Sequence, residues 1–307
     1  MPRRSKGKAV HGWLILDKPA GMTSTQAVGV VRRRFDARKV GHAGTLDPLA
    51  TGVLPVALGE ATKTVAYAMD GAKHYRFTVR WGIETDTDDS AGAAVALAAQ
   101  RPAPCAIETL LERFTGDILQ VPPTYSAIKV AGARAYAVAR EGGRVLLEAR
   151  TVHIDRLALV DTPDADHALF EARCGKGTYV RALARDMGRA LGCLGHLIAL
   201  RRTLVEPFSI EGAVTLDDLE GAASAGEAAL AGLLLPVAAS LAGLIAFAVG
   251  DGDAVRLLRG QAVPIRGRDA PILNGPAYAT SRGRVIAVGR IEKGCLHPQR
   301  VFNYSAR

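Results

Sequence analysis

The sequence predicts an α+β fold, with helices and strands interleaved up to about residue 245 and a tail of short strands after it. Three observations predict it. Residues 74–82 alternate Tyr75, Phe77, Val79 and Trp81 with His74, Arg76, Thr78 and Arg80, the period of a strand with one apolar and one basic face. Two other segments carry apolar residues at helical spacing: Val28, Val31 and Phe35 in one, Leu183, Met187 and Leu191 in the other. From about residue 246 short β-like stretches alternate with Gly, Pro and Asn turns, which suits a small β-barrel.

Taken in order, residues 1–10 hold Arg3, Arg4, Lys6 and Lys8 without an acid and read as a disordered basic arm. Trp13-Leu14-Ile15-Leu16 is a short apolar strand, stopped by the turn Asp17-Lys18-Pro19-Ala20-Gly21. Ser24 or Thr25 then caps a helix whose other face carries Arg32, Arg33 and Arg34. Val53 to Leu58 reads as a buried strand, followed by a helix from near Glu60 with Ala61, Val65 and Ala68 on one side. Thr85-Asp86-Thr87-Asp88-Asp89 closes the 74–82 strand in a polar turn.

Residues 121–151 differ in character. They open on Pro122-Pro123 and set Lys129, Arg134, Arg140, Arg144 and Arg150 against Glu141 and Glu148, the pattern of a protruding basic insertion with a short helix over Ala133–Arg140. A strand at 168–174 turns through Gly175-Lys176-Gly177 into the helix at about 178–191. In the tail, a helix at 254–258 precedes strands at 263–266, 277–280 and 284–291. The division expected is therefore an arm at 1–10, a main domain at 11–245 with its insertion at 121–151, and a small domain at 246–307.

A chain of 307 residues that is 49% hydrophobic is long enough for a large core with a small domain appended, and disorder is excluded for most of it. Lys and Arg number 39 against 30 Asp and Glu, a net charge of +9 that fits a polyanionic partner such as nucleic acid. Cys105, Cys174, Cys193 and Cys295 show no CxxC spacing, so reduced thiols in the cytoplasm are expected and a zinc site is not. No apolar run follows the basic start as it would in a secretory signal. Ala229 to Val249 has the length of a membrane span without a charge, but Pro236 and Gly243 divide it into two short buried segments.

The most informative string is Gly41-His42-Ala43-Gly44-Thr45-Leu46-Asp47-Pro48-Leu49-Ala50-Thr51-Gly52. Its glycines and Asp-Pro step make a loop of fixed backbone with one projecting carboxylate. On local chemistry alone, Asp47 is an Asx-turn residue bonding its own backbone. The whole string, GHxGTLDPxATG, resembles the catalytic loop of the TruB-type pseudouridine synthases, in which the aspartate is the nucleophile. Further blocks resemble the same family in order and spacing: Gly12 to Pro19 with Gly21-Met22-Thr23-Ser24, Lys73-His74-Tyr75-Arg76-Phe77 with Thr85-Asp86-Thr87-Asp88, Pro122 to Lys129, Lys176-Gly177-Thr178-Tyr179-Val180-Arg181, and Leu200-Arg201-Arg202. They cover residues 12 to about 208, and the tail resembles the family's small RNA-binding PUA-type domain more loosely. Ala43 stands where the family usually has threonine, Gly195 where alanine is usual, and Val237-Ala238-Ala239 lacks an aspartate often found there.

The resemblance implies a large mixed, mostly antiparallel sheet flanked by helices, and isomerisation of uridine to pseudouridine at position 55 in the T-loop of tRNA. That reaction breaks the bond from ribose C1′ to base N1 and rejoins the base through C5. Nothing is oxidised or added, so no redox cofactor or metal is called for. By resemblance Asp47 is the nucleophile, Arg181 its cationic partner, and Tyr75 stacks on the flipped base and helps move the C5 proton. His42 fills the space left by the extruded uridine, while Tyr179 and Leu200 contact the substrate. Whether Asp47 attacks C1′ or C6, or promotes elimination to a glycal, stays open. The partner implied is the tRNA T-arm, bound by a cytoplasmic monomer without a membrane or an obligatory protein partner. Two competitors are a guide-dependent synthase of the same fold and a non-catalytic RNA-binding or tRNA-folding protein. The chain's own insertion argues against the first, and Asp47, Tyr75 and Arg181 together against the second.

Overall fold

The computed structural model describes residues 7–125, 129–130, 133–134, 147–266 and 273–304. Strand β1 (Gly12–Lys18) leads into helix α1 (Ser24–Arg34), then β2 (Val40–His42) and β3 (Thr51–Leu58). After α2 (Val65–Asp70) come β4 (Lys73–Trp81), the hairpin β5 (Ile83–Thr85) and β6 (Ala94–Leu97), α3 (Pro104–Leu111) and β7 (Gly116–Gln120). A two-stranded ribbon, β8 (Lys129–Val130) with β9 (Ala133–Arg134), precedes β10 (Arg150–Asp164), β11 (His167–Cys174), α4 (Val180–Ala190), β12 (Gly195–Val205) and β13 (Phe208–Ser209).

These strands build one nine-stranded sheet in the order β1-β3-β12-β4-β11-β10-β7, with β2 on β3 and β13 on β12. Its pairings are antiparallel except β3 with β12, so the sheet is mixed and mostly antiparallel, as the resemblance implies. Alternation explains how each strand is buried. On β4, Phe77, Val79 and Trp81 enter the main core while Arg76 and Arg80 stay exposed. On β1, Leu14 and Leu16 enter that core and Trp13 and Ile15 a second one, which is why the run is continuously apolar. The main core lies between the sheet and α1, α3 and α4, with Phe170 stacked on Phe77 and edge-on to Trp81. Such aromatic pairs add about 0.5–1.5 kcal/mol each beyond their buried area.

After α5 (Leu216–Ala225) and α6 (Glu227–Gly232), the chain enters a second sheet of β14 (Ile245–Ala248), β15 (Val263–Pro264), β16 (Gly275–Ser281), β17 (Arg284–Glu292) and β18 (Cys295–Val301), with α7 (Asp251–Leu258) against it. The order is β14-β16-β17-β18-β15 and, among the described residues, the two end strands do not pair with each other, a half-barrel where a small β-barrel was expected. Its core holds Leu257, Ala277, Ala287 and Ile291. The second core joins the two sheets: Val285, Val288 and Phe302 pack with Trp13, Ile15, Val53 and Phe208 on the back of the first.

Several expectations are corrected. The cap of α1 is Thr23, in a reciprocal capping box with Gln26, because the Ser24 hydroxyl is engaged elsewhere. The helix expected from Glu60 is a 3-10 turn over Gly59–Lys63 followed by α2. The arm is ordered at its end: Lys8 N donates to Asp36 O at 2.6 Å, Arg38 N to Lys8 O at 3.0 Å, and the Lys8 ammonium pairs with Glu227. Its residues 1–6 lie outside the described residues. The helix expected over Ala133–Arg140 begins instead as β9, and the rest of that expectation lies outside the described residues. Residues 229–249 divide into the end of α6, a 3-10 turn over Val237–Leu241 and β14, and no described helix is long and apolar enough to cross a membrane. The four cysteines are free, with Cys174 and Cys193 buried and Cys105 exposed.

Candidate active site

The Asp47 loop links β2 to β3 and is fixed from several sides. Leu46 N donates to Ser24 Oγ at 2.8 Å and Ser24 Oγ donates back to Leu46 O at 3.0 Å. Gly21 N reaches Pro48 O at 2.8 Å, and Ala50 N closes the turn on Asp47 O at 3.1 Å. Two buried cations hold the underside. Lys18 Nζ donates to Pro19 O and Met22 O, both at 2.7 Å, and to Pro48 O at 3.4 Å. Arg202 donates from Nε to Val53 O at 2.8 Å and from Nη2 to Gly44 O at 3.0 Å. The glycine at 52 is required by this packing, since a Cβ there would lie 2.1 Å from Arg202 O and the backbone has φ +100°.

Asp47 meets Arg181 through both oxygens. Arg181 Nε lies 2.9 Å from Oδ2, and Nη2 donates to Oδ1 at 3.2 Å. The Arg181 side chain is 6% exposed and that of Asp47 33%, so the carboxylate faces the open side of a cation seated in the protein. Burial pushes the Asp47 carboxyl above its ordinary value; Arg181 opposes the rise, Asp89 adds to it and Lys18 opposes it. The same guanidinium donates to Thr87 O at 3.0 Å and to Tyr125 O at 2.9 Å, and its Nη1 lies 3.6 Å from Asp89 Oδ2. Desolvation also lowers Lys18 to about 8, with Asp47 acting against it.

Tyr75 on β4 and Arg202 on β12 are register partners, as are Phe77 and Leu200, so these four share one face of two adjacent strands. Burial holds the Tyr75 phenol above its ordinary value, and Arg202 opposes that while Asp47 adds to it. Leu200 is buried within the main core, its exposure only 8%. His42 ends β2, with burial and the Arg202 charge keeping its imidazole below the ordinary value and the Gly44 backbone opposing them. Tyr179 caps α4 two residues before Arg181, its backbone gripped by Gln120: Tyr179 N donates to Oε1 at 2.8 Å, and Nε2 donates to Tyr179 O at 3.1 Å. Among the described residues no three His, Cys, Asp or Glu side chains gather as a metal-ligand set.

Asp89, Lys18, Arg202 and Gln120 were not singled out as site residues by the sequence. Asp88 and Asp89, in the expected polar turn, are both buried, with Asp89 Oδ1 accepting from Thr87 Oγ1 at 2.6 Å and from Ala91 N at 3.0 Å. The available signal was the pair of arginines, Arg181 and Arg185, one turn apart on a helix with a strongly apolar side.

Comparison with known proteins decides the family. Residues 32–180 match the TruB family pseudouridylate synthase (N terminal domain), and residues 181–242 match the tRNA pseudouridylate synthase B C-terminal domain. The chain is 58% identical to the tRNA pseudouridine synthase B of Nitrobacter winogradskyi over 99% of its length and 86% of that protein's. The chain belongs to the TruB family of pseudouridine synthases. A second TruB relative, from Bradyrhizobium diazoefficiens, is also 58% identical, over 98% of this chain and 88% of its own. Among solved structures, a Cbf5-Nop10-Gar1 complex contains a chain that superposes with a TM-score of 0.72 at 24% identity, covering 95% of this chain and 84% of that one. That likeness shows the shared fold of mixed sheets and helices, and the TruB identity comes from the sequence relatives.

Proposed function

We propose that this protein isomerises uridine to pseudouridine in tRNA, at position 55 of the T-loop, with Asp47 as nucleophile. The observation that carries the reading is the Asp47–Arg181 contact, 2.9 and 3.2 Å through the two carboxylate oxygens, on a loop pinned by Lys18 and Arg202. A nucleophilic carboxylate has to stay ionised beside an uncharged base, and burial works against that. Arg181 supplies the opposing charge from a seat that does not need to reorganise during the reaction.

Within this reading the C1′–N1 bond breaks, the base turns, C5 bonds to C1′, and the C5 proton is lost while N1 gains one. Tyr75 stacks on the base and relays the C5 proton, and Tyr179 and Leu200 line the same pocket. His42, at the end of β2, takes the space of the extruded nucleotide, offsetting an unstacking cost of about a few kcal/mol. Residues 11–245 are the catalytic domain, 121–151 the insertion that grips RNA, and 246–307 a PUA-like RNA-binding domain. A cavity of about 1030 Å³ between α7 and the strand ends, lined by Arg282, Arg284 and Tyr304 among others, supports an RNA-contacting role for that last unit. The protein acts as a monomer in the cytoplasm.

The test is incubation with an unmodified tRNA transcript, followed by mapping of pseudouridine nucleotide by nucleotide. Conversion of uridine 55 alone is expected. Conversion elsewhere would overturn the position, and no conversion would overturn the activity.

A further inference from the structure

Arg185 stands one helical turn after Arg181 on α4 and is as deeply buried, at 7% exposure against 5%. Residues four apart share a helix face, and these two arginines reach the same two pieces of chain. Arg181 donates to Thr87 O and Tyr125 O. Arg185 donates from Nη1 to Asp88 Oδ2 and from Nη2 to Val121 O, each at 2.8 Å, and its Nε bonds Asp186 Oδ1 at 2.8 Å. Each arginine therefore clips the Thr85–Asp89 turn with one arm and the Val121–Tyr125 segment with another.

The arrangement is a poor one for stability alone. A buried ion pair gains little over well-packed apolar side chains, because desolvating both charges offsets their attraction. Burial pushes the Asp88 carboxyl up to about 6, with Arg185 and Arg181 opposing the rise. Asp88 also sits at φ +60°, in the left-handed region, a conformation held where surrounding contacts over-determine it. Two donors of Arg181 end on backbone carbonyls of connections between elements, Thr87 in a turn and Tyr125 in the segment that follows β7. A shift in either connection displaces the guanidinium from Asp47.

We propose that Arg185 and Asp88 are a positioning pair for the isomerisation: they lock the Thr85–Asp89 turn and Val121 to α4, so that Arg181 stays seated on both oxygens of Asp47. Neither touches the reacting atoms. The inference rests on Asp47 being the nucleophile. It also makes the root of the 121–151 insertion part of the catalytic support, since Val121 and Tyr125 lie in its first five residues after β7.

The experiment compares Arg185→Met, Arg185→Lys and Asp88→Asn with the parent, and with Arg189→Met as control. Arg189 lies one turn further on α4 and pairs with Glu84 at 2.6 Å, outside the site. Single-turnover rate and Kd are measured with unmodified tRNA transcript, folding by melting temperature, and the Asp47 titration by carbon-13 NMR on the protein alone. Arg185→Met is expected to slow the rate by about tenfold or more, as small misplacements of catalytic groups do. Its Kd should stay within about threefold, because phosphate contacts supply most affinity. Asp47 should titrate at higher pH in that variant, Arg185→Lys should recover part of both effects, and Arg189→Met should match the parent. Asp88→Asn is nearly isosteric and decides the matter if Arg185→Met does not fold. Variants that keep the parent's rate and the parent's Asp47 titration overturn the proposal, as does a loss shared equally with Arg189→Met. A parent that makes no pseudouridine sinks the functional reading instead, and the Asp47 titration still decides on the pair.

Discussion

Arg181 holds Asp47 from a buried seat, its Nε 2.9 Å from Oδ2 and its Nη2 3.2 Å from Oδ1. The contact joins residues 134 positions apart, and the same guanidinium faces a second carboxylate, Asp89, at 3.6 Å. One cation thus serves two acids, of which only Asp47 is open to a ligand. Asp89, 7% exposed, turns Oδ2 toward Arg181 while its Oδ1 accepts from the Thr87 hydroxyl and the Ala91 backbone.

Asp47→Asn removes the proposed nucleophile and keeps the loop, whose fixing contacts are made by Ser24, Lys18 and Arg202 rather than by the carboxylate. Pseudouridine formation is expected to fall by about 10³-fold or more. Binding to tRNA should stay within about threefold of the parent, since phosphate contacts dominate affinity. A variant retaining a tenth of the parent's single-turnover rate, roughly 1.4 kcal/mol of barrier, would remove Asp47 from that role.

Arg181→Met takes away the main charge opposing the rise of the Asp47 pKa, so Asp47 ionises at higher pH. The proposed nucleophile acts in its ionised form, so the rate of this variant should climb with pH over a range where the parent is already flat. At neutral pH the loss should be about 10²–10³-fold, the scale of one lost electrostatic contact in a closed site. Arg181→Lys should recover part of it, not all, because an ammonium cannot reach Asp47 Oδ1, Thr87 O and Tyr125 O from the fixed positions of a planar guanidinium. A pH profile of single-turnover rates checks both points.

Much of this was legible in the sequence, and the reason differs from part to part. The 74–82 strand showed itself because alternation is a local property, and the Asp47 loop because twelve consecutive residues carry it. The long strand Arg150–Asp164 did not show itself, since its burial is irregular and register shifts interrupt its pairing with β11. The roles of Arg185 and Asp88 were hidden for another reason. Each looks like a solvated charge in its own neighbourhood, and only a fold that joins positions 97 apart turns them into a buried pair. The cap of α1 falls at Thr23, ahead of the expected Ser24 or Thr25, because Ser24 has a better partner in Leu46, 22 residues on.

Asp88 gives the fold a pH dependence of predictable sign. Its folded value is raised from 3.8 to about 6, by burial first, with Arg185, Arg181 and Arg189 all acting against the rise. A carboxyl raised on folding favours the folded state while protonated. Its contribution is complete below the unfolded value and is lost as pH rises to about 6, a change of about 3 kcal/mol. Asp88→Asn lacks this dependence. Urea unfolding of both proteins across pH 4 to 7, roughly the window between the two states, should show the Asn variant gaining on the parent as pH rises. A constant difference across that window would mean that Asp88 is ionised in the fold throughout.

Lys18 carries the opposite sign. Desolvation lowers it from 10.5 to about 8, so the unfolded chain holds the proton more firmly. Parent stability should therefore rise between about pH 8 and pH 10, and Lys18→Met should abolish that rise. The same substitution removes the donors to Pro19 O, Met22 O and Pro48 O that brace the Asp47 loop. Turnover should fall even where melting shows the variant to be as stable as the parent, which separates the bracing of the loop from the general cost of a buried ammonium.

The half-barrel is tied to the first sheet by a shared apolar core. Deleting residues 246–307 would strip Val285, Val288 and Phe302 from Trp13 and Ile15 and leave that apolar face bare, so truncation confounds folding with binding. Point substitutions avoid this. Arg282 and Arg284 line the cavity beside α7 while lying outside every core, Arg282 paired at the surface with Asp251 and Arg284 placed over the Tyr304 ring. If this unit contacts tRNA phosphates, Arg282→Ala with Arg284→Ala should weaken binding at low salt and flatten the slope of log affinity against log salt by about two. Single-turnover rate at saturating protein should stay at the parent's level, because the Asp47–Arg181 contact lies in the other sheet's domain and depends on neither arginine. An unchanged salt slope in a folded double variant would take these two residues out of the RNA contact surface, and a lowered saturating rate would place them in support of catalysis instead.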